Sequence, residues 1–246
     1  MATGGNPAVT NRTDSRRARF FDSYVDTIIQ RDLSTIAQVH DQANVRRLLS
    51  AVASMSASLM NFDGLARDLG LSSNTARSHM ALLDTLFLTT RLEAWSTNLL
   101  GRVVKAPKAY IHDSGLLCHL IGADATRLAE DGTIAGPVFE TFVAMELRRQ
   151  LAWQDNAPRQ SHYRDRDGRE VDFVLERRDG SVVAVEVKTG LRPSLCAAMG
   201  RSAVTTSSAG RGDRSPAVAD MRGQRRVQHL DGLQPEGLEA VEDPLA

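Results

Sequence analysis

No apolar run in this sequence approaches the ~18–20 residues that cross a bilayer, and residues 1–19 contain no apolar core of the secretory kind. Neither a membrane span nor a secretory leader is expected. Cysteine is scarce: Cys118 and Cys196 are too few for a disulfide framework or a four-thiolate metal centre, which points to a reducing cytoplasm. An excess of charge of one sign is also missing. Thirty Lys+Arg balance thirty Asp+Glu for a formal net charge of +0. That excludes a uniformly basic body coating nucleic acid, though not a local basic patch. No G-x-x-x-x-G-K-[ST] occurs, so no phosphate-cradling loop, and no ATP site of that type, is expected in this chain.

Aromatics are few and unevenly spread. All twelve lie between Phe20 and Phe173, and Phe, Tyr, Trp, Ile and Lys are absent after Gly190. A stretch so poor in apolar bulk cannot offset its own ordering entropy. Residues 191–246 therefore read as a mostly disordered tail. The Gly-, Thr- and Asn-rich residues 1–19 read as another, which leaves 20–190 to fold.

What is present begins with two amphipathic segments, grouped as a helical pair over 20–60. Phe20–Leu33 carries Phe21, Tyr24, Val25, Ile28 and Ile29 at helical spacing. Asp41–Met60 carries Val45, Leu48, Leu49, Val52 and Met55, with Asp41 as N-cap. Residues 61–122 read as a winged-helix domain. Leu65, Ala66 and Leu69 form one helix face that ends at Gly70. Ser72 or Ser73 caps the next helix, whose inward face is Ala76, Met80 and Leu83. A helix, a short turn and a second helix form the pattern of DNA-binding modules. Leu86–Leu92 and Lys108–His112 supply two strands for a wing. The residues expected to be exposed for nucleic-acid contact are Ser73, Asn74, Arg77 and Ser78 on the second helix. Arg91, Arg102, Lys105 and Lys108 join them on the wing side. A helix–turn–helix is also a common packing solution and a protein-binding surface. Asp113–Ile121 reads as a short helix capped by Asp113. His112 and His119 stand seven apart without a third ligand at a useful spacing, so they are not expected to hold a metal.

Residues 123–190 form the second expected domain. Gly136–Leu151 is a helix with Pro137 in its first turn. Glu140 falls on the face it shares with Val143 and Leu147, where a carboxylate needs a partner. Two strands follow, Glu170–Arg177 and Ser181–Lys188, joined by Arg178-Asp179-Gly180. A three-residue loop with Gly in the left-handed position pairs residues whose numbers sum to 358. Asp172 then stands opposite Glu186, with Lys188 on the same sheet face. Two carboxylates side by side repel, and Lys188 or a divalent cation such as Mg²⁺ is the natural compensation. A strand face carrying Glu and Lys is also how an exposed sheet surface looks.

Asp172, then Glu186-Val187-Lys188, with Glu140 on a preceding helix, resembles the active-site pattern of the PD-(D/E)XK nuclease superfamily. That resemblance implies Asp172, Glu186 and Glu140 as ligands of Mg²⁺ and Lys188 as the catalytic residue that orients or activates the attacking water. The wider order is YVDTIIQRDL, helix–turn–helix, YIHDSGLL, GPVFETFVAMEL, REVDFVLE, VEVKTG. It is similar to the C-terminal half of a prokaryotic AAA-type ATP-binding family, in which a P-loop ATPase module precedes a winged helix and a nuclease-like domain of unknown function. This chain lacks the P-loop. A complete nuclease-like core also needs a further helix and strand after the ExK strand, which the sequence beyond Gly190 does not offer; the abrupt change of composition is what a frame-disrupted end would give. The expected fold is α+β, a helical segment and winged helix followed by a small, incomplete PD-(D/E)XK-like domain. The expected function is a truncated member of that family retaining its DNA- or protein-binding half, acting as a binding or regulatory module or standing as a degenerate remnant. The alternative is a Mg²⁺-dependent DNA phosphodiesterase.

Overall fold

The structure, a computed structural model, describes residues 1–32, 41–96, 98, 100, 102, 105–165 and 168–188, and the backbone of 189, 202–209, 215–220 and 225–226. The chain divides into two compact units, Met1–Gln150 and Leu151–Ala246. The class is mixed α+β, as expected. Among the described residues no helix is long and apolar enough to cross a membrane.

In the first unit, α1 (Asp14–Thr27) buries Phe21 and Val25 and passes into a π turn, Ile28–Asp32, that buries Ile29. Helix α2 (Gln42–Ser54) starts where Asp41 accepts the Asn44 N–H, and it buries Val45, Leu48, Leu49, Val52 and Ala53. A two-residue strand, β1 (Ser58–Leu59), leads to α3 (Phe62–Leu69), capped by Asn61. Gly70 ends α3 at φ +68°, the left-handed conformation that a residue without a Cβ adopts at no steric cost. Two residues later Ser72 caps α4 (Ser73–Thr85) by accepting the Thr75 N–H.

Strands β2 (Thr89–Leu92) and β3 (Lys108–Ile111) then pair antiparallel, and β1 joins the other edge of β3, giving the order β1-β3-β2. Central in its sheet, β3 buries all four of its residues. Three helices complete the unit's order: the short α5 (Ser114–Leu120) and α6 (Ala125–Glu130) and the long α7 (Gly132–Ala152), whose last two residues fall past the boundary. Helix α7 begins a turn before the expected Gly136, because Asp131 takes up the Thr133 N–H and hydroxyl.

The expectation of a disordered 1–19 is corrected. Asp113 caps α5 by accepting the Leu116 N–H and also accepts the N–H of Gly5 at 2.7 Å. Ser114 donates to the carbonyl of Met1, and Val9 is fully buried. Order there comes from partners more than a hundred residues away, which composition does not reveal.

In the second unit, β4 (Arg159–Arg164), β5 (Glu170–Glu176) and β6 (Val182–Thr189) form an antiparallel meander, with a register shift in β4 between Ser161 and Tyr163. Phe173 and Val185, directly paired, are buried. The backbone continues antiparallel into β7 (Ser202–Ala209), β8 (Ser215–Asp220) and β9 (Arg225–Arg226). The reading of 191–246 as disordered therefore differs from the structure at these three strands. The Val- and Thr-containing SAVTTSSA suits a strand, and β6 offers it an open edge. Cys196 and the rest of that tail lie outside the described residues.

Candidate functional site

The β5–β6 hairpin forms as its turn chemistry requires. Gly180 adopts φ +84°, its N–H donates to the Arg177 carbonyl, and the Arg177 N–H donates to Ser181. Phe173 pairs with Val185 and Val174 with Ala184, the register that sums to 358. Asp172 and Glu186 consequently occupy opposing positions on neighbouring strands. Both act on the Lys188 ammonium, Glu186 more strongly than Asp172. Asp172 Oδ2 accepts the Val187 N–H at 2.8 Å, taking the place of a ladder bond. Glu186 forms an ion pair with Lys188. Lys188 is 68% exposed, and its ammonium is held above the ordinary lysine range, chiefly by the hydrogen bond to Glu186. A lysine that takes up a proton near neutral pH needs the opposite shift.

Glu140, on α7 in the first unit, is committed elsewhere. Lys108 Nζ donates to Glu140 Oε1 at 2.9 Å and the Tyr110 hydroxyl donates to the same oxygen at 2.8 Å. The Lys108 side chain is 2% exposed and that of Glu140 15%. Lys108, expected on the outer side of a wing, is thus a buried cation that ties β3 to α7. The need of Glu140 for a partner was legible in the sequence; the partner was not, because alternation along KAYI assigns Lys108 to an exposed face, whereas both faces of β3 are covered. Among the described residues no group of three His, Cys, Asp or Glu side chains is placed to hold a metal ion. Of the carboxylates that the resemblance implies for Mg²⁺, Asp172 and Glu186 lie on the hairpin of the second unit and Glu140 lies on α7 of the first.

The outward face of α4 carries Asn74, Arg77 and Ser78, all exposed, opposite buried Ala76, His79, Met80 and Leu83. Arg77 is held in place: its guanidinium lies 4.5 Å from the Phe62 ring centroid and 3.9 Å from Asp63. Ser73 is half-buried and donates to the same Asp63 at 2.6 Å, so its hydroxyl braces the turn. The wing-side residues separate. Lys105 is exposed, Arg91 pairs with Asp84, and Arg102 is buried with its Nε donating to the Ser96 carbonyl. Arg102 thus braces the loop between β2 and β3.

The sequence missed His79 as an inward residue of α4. Burial lowers its pKa, against a smaller opposing effect of Asp41. His112 is lowered too, by burial first and then by Arg148 and Arg149. His119 pairs with Asp22 at 3.0 Å. Cys118 is buried and its thiol is pushed up to about 11, the reverse of what a nucleophile requires.

The first unit is therefore a helical domain with a short helix–turn–helix and a three-stranded sheet; the second contributes an antiparallel sheet with an acid–acid–lysine hairpin. The chain belongs to the family Domain of unknown function (DUF8612), whose model matches residues 1–127, just over half of it. Residues 135–210 match a second family, Domain of unknown function (DUF4143). Uncharacterised proteins of Mycobacterium tuberculosis and Mycobacterium bovis are each 31% identical over 199 residues, 80% of this chain and 44% of their own length. The chain thus spans less than half the length of these curated relatives. No solved structure matches it.

Proposed function

We propose that the chain is a DNA-binding, regulatory module of an AAA-type ATPase-associated protein, a winged helix that places α4 against duplex DNA. The observation that carries this reading is the polar outward face of α4, with Asn74, Arg77 and Ser78 exposed opposite buried Ala76, His79, Met80 and Leu83. The sheet order β1-β3-β2 around three helices agrees with it, and so does the DUF4143 match, a domain found in such ATPase-associated proteins. Arg77 reinforces the reading physically. Its guanidinium is already stacked on Phe62 and steadied by Asp63, so less side-chain entropy is lost when it meets a base edge or a phosphate.

The cleavage alternative has one supporting observation, the Asp172–Glu186–Lys188 juxtaposition. Against it stand the prior commitments of Glu140 and Lys188. Binding without hydrolysis is the better reading.

The test is fluorescence anisotropy with a duplex selected from a random pool, read across salt. Arg77→Ala is expected to weaken binding by about 1–3 kcal/mol, the value of one good contact to a base edge. If the contact is to a phosphate instead, Arg77→Ala flattens the salt slope by about 1. Unchanged affinity and slope in Arg77→Ala would reject α4 as the reading helix.

A further inference from the structure

We propose that the second unit carries a separate site for single-stranded nucleic acid at the tip of the β5–β6 hairpin, with a phosphodiester against Arg177 and Arg178 and a base stacked on Trp153. This site does not depend on α4. A cleft of about 440 Å³ is lined by Gln154, Asn156, Arg177, Arg178 and Asp179, within the range of about 300–1,000 Å³ usual for small-ligand clefts. It suits a nucleotide unit rather than the width of a duplex.

The charges favour an anion. Asp179 is turned into its own loop, where it accepts the Ser181 N–H at 2.8 Å and bonds the Ser181 hydroxyl, holding the carboxyl below its usual range. Arg159 and Glu176 stand opposite each other on β4 and β5, and Arg177 contributes a smaller attraction to the Asp179 carboxylate. Asp155, in the same loop as Asn156, does not line the cleft. Among the described residues, neither Arg177 nor Arg178 forms an ion pair through its guanidinium. Gln154 and Asn156 add amide donors and acceptors.

The aromatic component stands one residue away. Trp153, in the turn after α7, is 89% exposed, and the following residue, Gln154, is fixed by its N–H to the Leu151 carbonyl. Single exposed apolar residues are ordinary. An exposed indole one residue along the chain from a cleft lined by two arginines and two amides has the composition of a stacking platform with a phosphate-tracking edge. An indole face stacks on a base only where the base is unpaired, which selects a single strand. An acidic protein segment would use the arginines and leave the indole idle.

Anisotropy of fluorescein-labelled dT12 on the full chain tests this, with Trp emission followed in the Trp95→Phe background. Saturable binding with quenching of Trp153 is expected, with a log–log salt slope of about −1.4 for two phosphate contacts. Trp153→Ala is expected to weaken binding about 5- to 150-fold, the loss of one stacked base. Arg177→Ala/Arg178→Ala should weaken it and flatten the slope, while Arg77→Ala leaves it unchanged. Absence of saturable dT12 binding would overturn the proposal. So would binding that survives both the Trp153 and the paired arginine substitutions, or that polyglutamate displaces as well as unlabelled dT12. Loss of duplex binding in Arg77→Ala with dT12 binding intact would separate this site from α4.

Discussion

Glu140→Ala is expected to destabilise the protein by about 3–5 kcal/mol, because it leaves a buried ammonium without its counter-charge. Lys108 is enclosed in β3, and both it and Tyr110 converge on one oxygen of Glu140. Removing the carboxylate takes away an acceptor that both donors share. Set against a typical total stability of about 5–15 kcal/mol, the loss is large enough to unfold a marginal domain. Tyr110→Phe removes one hydrogen bond and should cost only about 1 kcal/mol. The double substitution Lys108→Met/Glu140→Leu removes both charges and keeps the volume, and is expected to recover most of the loss or exceed wild type. Urea midpoints compared across the four proteins measure this. A carboxylate whose role was to hold a metal would give the reverse pattern, with Glu140→Ala folding normally.

Phe173→Ala is expected to cost about 3–5 kcal/mol, the usual penalty for emptying an aromatic position in a core. Phe173 is fully buried and pairs directly with Val185 at the centre of the hairpin. The neighbouring Asp172→Ala is a different kind of change. It removes a half-buried acceptor from the Val187 N–H, and the expected cost is about 1–3 kcal/mol. Loss of β-sheet circular dichroism at a lower denaturant concentration in Phe173→Ala than in Asp172→Ala is the check. The comparison bears on function as well: an activity lost in Asp172→Ala says nothing about catalysis unless the hairpin is shown to be intact.

What was legible in the sequence was local. The Arg178-Asp179-Gly180 loop set the register of the hairpin, and Asp41, Gly70 and Asp113 set helix ends, because each acts on backbone groups within three or four residues. What was not legible depended on distant pairing. Lys108 and Glu140 are 32 residues apart, and Gly5 meets Asp113 across 108. No periodicity encodes such contacts. A long basic side chain in a loop normally points outward, whereas the carbonyl of Ser96 draws Arg102 in. Ser73 was placed on the outward face of α4, and its hydroxyl is taken up by Asp63.

The central claim is that this chain binds DNA and does not cut it. The most direct measurement incubates supercoiled plasmid with the protein and Mg²⁺, then follows retention and topology in the same sample at rising salt. The expected result is salt-sensitive retention of plasmid that stays supercoiled, with retention reduced by Arg77→Ala. Nicking that requires Mg²⁺, and that a folded Lys188→Ala protein no longer performs, would contradict the claim and restore the hairpin as a catalytic site.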